Sequence, residues 1–424
     1  MPVGAQSITS RVTRALAAMS TADVFTAAET HGRVVHATCG WAAKSQNLSI
    51  YKGNEASTGE TRLPRYAEWF GAVEVDSSTY AIPTRTISKR WVDATPDGFQ
   101  FIVKAFGGLC ASSVDVKSLP RDVRETLATT SSRATYRSMS DCTKDLLWRH
   151  MLDALAPMRE KNKLAMVVFQ FHVSQAPSNA LREHILECRA RLRGVNVAVE
   201  FRNRDWLIGD VGDETVRWCK EYDLCLVASD ELEHETAQRD REQRGLPPGA
   251  SKRRMFTRLE HTATWASLIR VHRRHGTTER VLDDEEIAFW ARTIANAAAD
   301  SSGPTYVAWG TEWLDAPLTN AKALDAALDT IQPNVFTYDW YGTRHQRPSA
   351  VKIPAQSTTT IADMFAAAAA TSRKSHIRVD TATPASDGDP APALKKSKPN
   401  KSAVSGAKNP LVALWARANA PKEE

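Results

Sequence analysis

Short apolar runs recur along this chain, and several end on one face in charged or amide side chains spaced i, i+2. The clearest are Val73-Glu74-Val75-Asp76, Val167-Val168-Phe169-Gln170, Val197-Ala198-Val199-Glu200-Phe201-Arg202 and Leu268-Ile269-Arg270-Val271-His272. Residues i and i+2 share a face in a strand, so each run reads as a buried strand that turns polar on one face at its C-terminal end. Strands are predicted over 34–39, 72–77, 99–104, 165–171, 195–201, 224–229, 266–272 and 305–309. Stretches with helical spacing alternate with them at 84–94, 146–158, 180–192, 213–222, 283–299 and 316–331. Asp283 is an N-cap candidate, with Glu286 three residues on. Such alternation predicts an α/β fold with parallel strands and right-handed crossovers. A closed (β/α)8 TIM-type barrel is the economical solution, with the polar strand ends gathered at one mouth. An open doubly wound sheet is the alternative, but no G-x-G-x-x-G follows a strand, so its dinucleotide-binding version lacks a signature.

Composition changes this picture at the ends. The net charge of +6 is concentrated in residues 350–424, where 11 Lys/Arg meet 6 Asp/Glu, and the rest of the chain carries about +1. Whole-domain charge therefore does not advertise a nucleic-acid surface. Residues 349–424 are rich in Ala, Ser, Thr, Pro and Lys and are expected to form a disordered basic tail. Residues 1–32 are expected to be a flexible lead-in, leaving 33–348 as the barrel domain. Arg11 and Arg14 precede the first acid, Asp23, in the manner of a weak mitochondrial import segment. A frayed terminus on a cytoplasmic or nuclear protein is the expectation. The six cysteines form no C-x-x-C pair, so reduced thiols are expected. No apolar run is long enough to span a membrane. Two long connections, 107–140 and 231–254, read as a lid or insertion and a solvated excursion.

Further short motifs accompany the strands. Cys39-Gly40-Trp41, Val73-Glu74-Val75-Asp76-Ser77-Ser78-Thr79-Tyr80 with Pro83, and Trp91 with Thr95-Pro96 come first. Phe169-Gln170, Val199-Glu200-Phe201-Arg202 with Trp206, Arg270 with His272, and Asn320-Ala321 follow in order. This series resembles the domain of unknown function 72 (YecE-like) family over roughly residues 34–345. The resemblance implies a TIM barrel with a polar pocket at the C-terminal face, and implies no particular reaction. The chain departs from the family pattern near Ala43, at His172-Val173 and at Trp309-Gly310-Thr311.

The expected pocket holds an acidic set (Glu74, Asp76, Glu200), a basic set (Lys104, Arg202, Arg270) and neutral or switchable groups (Gln170, His172, His272, Ser77, Tyr80). Such a mixture binds an anionic group through Arg and Lys while a carboxylate or imidazole moves a proton. Glu200, His272 and Asp76 are the candidate acid/base groups. Arg202, Arg270, Lys104, Gln170, Ser77, Tyr80, Trp41 and Glu74 are the candidate substrate contacts, with Trp41 and Tyr80 as stacking surfaces. Glu74, Glu200, Asp230 and His272 would make a metal site on paper, yet three cations at the same mouth would repel the ion. A metal-independent hydrolase or lyase acting on an anionic substrate, phosphate- or nucleic-acid-derived, is expected, and no cofactor is implied. The alternative is a non-catalytic module for an anionic ligand or nucleic acid, recruited to a DNA-maintenance complex by the tail. Ile361, Met364 and Phe365, and again Leu411, Leu414 and Trp415, loosely resemble the box that docks on a DNA sliding clamp.

Overall fold

The computed structural model describes residues 32–42, 49–51, 59–111, 113–127, 131–230, 257–272, 281–299, 301, 303–311 and 314–338. Residues 1–31 of the lead-in, the excursion at 231–254 and both tail motifs lie outside the described residues. In chain order the strands are β1 (Arg33–Thr38), β2 (Ala72–Val75), β3 (Gln100–Lys104), β4 (Ser113–Asp115), β5 (Arg133–Thr135) and β6 (Leu164–Phe171). They continue with β7 (Val197–Phe201), β8 (Cys225–Leu226), β9 (Ala228–Asp230), β10 (Ser267–Val271), β11 (Thr305–Trp309) and β12 (Thr337–Tyr338). The helices are α1 (Gly59–Ala67), α2 (Arg85–Asp93), α3 (Arg121–Glu125), α4 (Asp141–Glu160), α5 (Asn179–Arg191), α6 (Gly209–Glu221), α7 (Asp284–Ala299) and α8 (Ala316–Ile331). No helix among the described residues is long and apolar enough to cross a membrane.

The fold is α/β with parallel sheets. One sheet runs β12-β1-β11-β10-β9 and the other β2-β3-β6-β7-β8, and every pairing within them is parallel. Local chemistry sets the helix starts. Thr84, Ser140 and Ser178 each accept a backbone N–H three residues ahead, and Asp283 does the same for Glu286 at 2.8 Å. Buried Lys163 serves the far end of α2, its Nζ donating to the carbonyls of Val92 (2.9 Å) and Thr95 (2.7 Å).

One face of both sheets contributes to a single apolar cluster. Val35, Ala37, Ala72, Ile102, Met166, Val168, Ala198, Cys225, Val227, Leu268, Tyr306 and Ala308 meet there. The residues between them, such as Val34, Val73, Phe101, Val167, Val199, Ile269 and Val307, pack with the helices in a second cluster. Period-2 alternation thus divides an interior face from a helix-covered face throughout.

The sheets meet along two seams. At one, the predicted strand 224–229 splits: β8 pairs with β7 and β9 with β10, while Val227 N–H donates to Val199 C=O at 2.9 Å. At the other, β1 lies beside β2, with no ladder between them among the described residues. The fully buried Tyr66 hydroxyl stands in, accepting from Thr38 N–H (2.9 Å) and donating to Ala72 C=O (2.8 Å). Pattern reading passes over α1, which carries Tyr66, because Gly59 and Pro64 disguise it. The connection 107–140 holds the β4–β5 hairpin and α3.

Replacing Tyr66 by Phe leaves a buried N–H and a buried C=O unpaired at the β1–β2 seam. The expected loss is about 1–3 kcal/mol of unfolding free energy, read from urea denaturation. An unchanged midpoint would show that the hydroxyl bridges nothing that matters.

Candidate functional site

Above the apolar cluster the interior face turns polar. Glu74, Lys104, Gln170, Glu200, Ser229 and Arg270 sit at or near the C-terminal ends of β2, β3, β6, β7, β9 and β10. Strand register brings Gln170 opposite Glu200 and Ser229 opposite Arg270. Two positions on, Asp76, Arg202 and His272 follow on the same side, so the i, i+2 spacing becomes a buried floor and a half-buried rim.

The floor is one hydrogen-bonded network. Arg270 donates to both oxygens of Glu74 (Nε to Oε2 at 2.8 Å, Nη2 to Oε1 at 2.7 Å) and to Glu200 Oε2 through Nη1 at 2.6 Å. Glu200 Oε2 also accepts from Gln170 Nε2 at 2.9 Å, and Glu200 Oε1 from Ser229 Oγ at 2.7 Å. Arg202 Nε lies 2.9 Å from Glu200 Oε1. Gln170 Oε1 accepts from Lys104 Nζ at 3.1 Å, and Lys104 Nζ pairs with Asp76 Oδ1 at 2.7 Å. Cys39 Sγ lies 3.8 Å from Arg270 Nη2. Ser78 Oγ lies 2.6 Å from both Val75 C=O and Lys104 C=O, fastening the turn that carries Asp76 to the end of β3.

Electrostatics separates floor from rim. Burial would raise Glu200, but Arg202, Arg270 and Lys104 together hold it well below the usual carboxylate range. Burial pushes Glu74 upward against the pull of Arg270 and Lys104, although both its oxygens accept guanidinium N–H bonds as a carboxylate does. Burial opposes the charge on Lys104, and Asp76 with the two glutamates more than offsets it, so the ammonium is retained. Burial also disfavours the Asp76 charge, but Lys104, Arg270 and Arg202 keep it lowered. Burial and the charges of Arg270 and Arg202 hold His272 well below its ordinary value, leaving a neutral imidazole at pH 7. Exposure follows the same division: the Glu200 side chain is 0 % exposed, Arg202 19 % and Asp76 35 %.

Eight residues expected at a pocket therefore meet: Glu74, Asp76, Lys104, Gln170, Glu200, Arg202, Arg270 and His272. Trp41 does not offer a stacking face. It is buried, its indole N–H donates to Gly59 C=O at 2.7 Å, and its ring meets Trp91 edge-on at 5.3 Å. Ser77 and the exposed Tyr80 lie on and just beyond the turn after β2. Ile361, Met364, Phe365, Leu411, Leu414 and Trp415 lie outside the described residues. Ser229, Ser78 and Cys39 join the cluster unpredicted; for Ser229 the signal was its place directly after the apolar run 224–228. Among the described residues no three His, Cys, Asp or Glu side chains are set to hold a metal ion. The oxygens of Glu74 and Glu200 are taken up by Arg270 and its neighbours. A shallow groove of about 640 Å3 beside Trp148, Arg149 and Arg193 lies on α4 and the end of α5, and gathers no comparable chemistry.

Comparison with known proteins identifies relatives of this chain. The family model described as "Protein of unknown function DUF72" matches residues 35–340. The UPF0759 protein YunF of Bacillus subtilis is 31% identical over 172 residues, which are 41% of this chain and 52% of that protein. The chain thus aligns with about half the length of this curated relative. A crystal structure of a DUF72 family protein from Enterococcus faecalis superposes with a TM-score of 0.51 at 18% identity, covering 71% of this chain and 99% of that one. That likeness supports the α/β architecture.

Replacing Arg270 by Met strands two buried carboxylates. About 3–5 kcal/mol of stability should be lost, measured by chemical denaturation. Stability should also fall as pH drops from 7 toward 5. In that window the unfolded chain protonates a histidine at its ordinary value of 6.5, whereas folded His272 resists the proton. His184, held low mainly by burial, acts with the same sign. Glu74, raised on folding, acts with the opposite sign: its contribution is present below the ordinary carboxyl value and is lost as pH rises through its folded value. His272→Gln should therefore flatten the slope without abolishing it; an unaltered slope in urea midpoints across that range would contradict the assignment.

Proposed function

We propose a function for this chain, which belongs to the DUF72 family of proteins of unknown function, from the chemistry of its polar cup. The cup binds a small ligand through an anionic group and carries out metal-independent proton transfer of the hydrolase or lyase kind. Arg202 and Lys104 meet the anionic group. His272, neutral at pH 7 and half-buried, takes a proton from the ligand or from water only transiently and passes it on to the leaving group, because burial and the neighbouring arginines disfavour a lasting imidazolium. Asp76 orients the ligand at the rim. Glu200, enclosed by four partners and held ionised, positions Arg202, Arg270 and Gln170 and is a poor proton donor at neutral pH.

The observation that carries this reading is the convergence of acid, base and cation from six strands on one face, with the more exposed members two residues beyond the buried ones. The reading also takes the two sheets as one closed (β/α)8 barrel whose C-terminal mouth is the cup. The shared interior cluster supports closure, as do the segment 225–230 serving both sheets and the guanidinium of β10 spanning to β2 and β7.

A second reading, a binding module without chemistry, is favoured by the charge balance. Three carboxylates face three cations, so the network is satisfied before any ligand arrives.

The test is a thermal-shift screen of the full chain against small phosphates, sulfates and carboxylates, with hits followed by NMR for product. Arg202→Met should abolish the shift. His272→Gln should retain binding and lose turnover, with little change in melting temperature. A ligand recovered intact after long incubation would favour the second reading, and the absence of any Arg202-dependent hit would defeat both.

A further inference from the structure

A hydrogen-bond donor of the floor, Lys104, stands beside an acceptor of the rim, Asp76, and this pairing constrains what the cup receives. Lys104 Nζ carries three N–H groups, of which Asp76 and Gln170 take two among the described residues. The Asp76 carboxylate offers about four acceptor positions. Lys104 engages the group through Oδ1, and a third of the side chain is exposed. The two groups are neighbours by construction: Asp76 opens the turn directly after β2, Lys104 ends β3, and Ser78 Oγ ties that turn to the Lys104 carbonyl.

A plain anion that approaches Lys104 is placed against the ionised Asp76 and repelled. An anion with a hydroxyl on the adjacent carbon, as in an α-hydroxy carboxylate, or on the neighbouring carbon of a phosphate ester meets a different surface. Its charged oxygen accepts from Lys104 while its hydroxyl donates to Asp76, and the repulsion is replaced by a charge-assisted hydrogen bond. Resting on the anion-cup reading above, we infer that the cup selects hydroxyl-bearing acids, of the α-hydroxy carboxylate or vicinal hydroxy-phosphate type, over plain anions of equal charge. Carboxylate and phosphate versions share this chemistry, and the experiment separates them.

The full chain is titrated by calorimetry with two matched pairs, glycolate against acetate and 2-hydroxyethyl phosphate against ethyl phosphate. Within at least one pair the hydroxylated member should bind about tenfold tighter. Asp76→Asn should bring that ratio to about one while the melting temperature stays within a few degrees. If Asp76→Asn does not fold, Asp76→Glu keeps the charge and moves the acceptor, and should still shrink the ratio. Equal affinities within both pairs on the wild type would overturn the selectivity and leave the anion cup standing. Failure of all four probes to bind would overturn both. A ratio that survives in the Asp76 variants would take Asp76 out of the inference.

Discussion

A single guanidinium organises this molecule. Arg270 is fully buried and bridges Glu74 on β2 and Glu200 on β7 from its own place on β10, so one side chain links the two sheets. Burying a charge is costly unless every lone pair and proton around it is engaged. Gln170, Ser229 and Lys104, each from a different strand, and Arg202, just past the end of β7, complete that engagement. The network leaves little freedom in how the strands slide past one another. A shift of one residue in any of them would turn its polar group toward the helices and leave a partner stranded.

The floor and rim divide labour by exposure. Glu74 and Glu200 are held by the guanidinium, and their chemistry is structural before it is anything else. Asp76, Arg202 and His272 sit one pleat further out, where the same charges that stabilise the floor keep Asp76 ionised and His272 neutral. Polar residues at the strand ends thus serve two purposes that sequence spacing alone does not separate.

The strand ends themselves were legible. Residues such as Val197, Ala198, Val199 and Glu200 announce a buried strand turning polar, and the β11 and α8 bounds agree with the pattern residue for residue. The i, i+2 rule placed Glu74 with Asp76 and Arg270 with His272 on common faces because alternation is a property of the backbone. What stayed hidden depends on contacts across long separations. Tyr66 bridges Thr38 and Ala72 from a helix whose Pro64 masks it. His36 Nε2 meets Asp325 Oδ1 at 2.8 Å across 289 positions, while Trp309 Nε1 donates to His36 Nδ1 at 3.1 Å, and no local pattern encodes that strut. Trp41 read as a binding aromatic because a motif does not say which way a ring is packed. The halving of strand 224–229 was equally invisible, since its apolar run is unbroken.

That halved strand has a bearing on how the chain tolerates change. Cys225 and Val227 join the interior cluster, Leu226 and Ala228 the helix-side one, and Ser229 reaches Glu200, so the pleat runs on unbroken although the hydrogen-bonding partner switches at Val227. Gain of one codon there would exchange the two faces for every residue downstream in the strand and bury Ala228 where the serine hydroxyl now sits, and loss of one would bring Asp230 to that place. The length of this five-residue splice is therefore fixed by the pleat, a constraint that a surface loop does not carry.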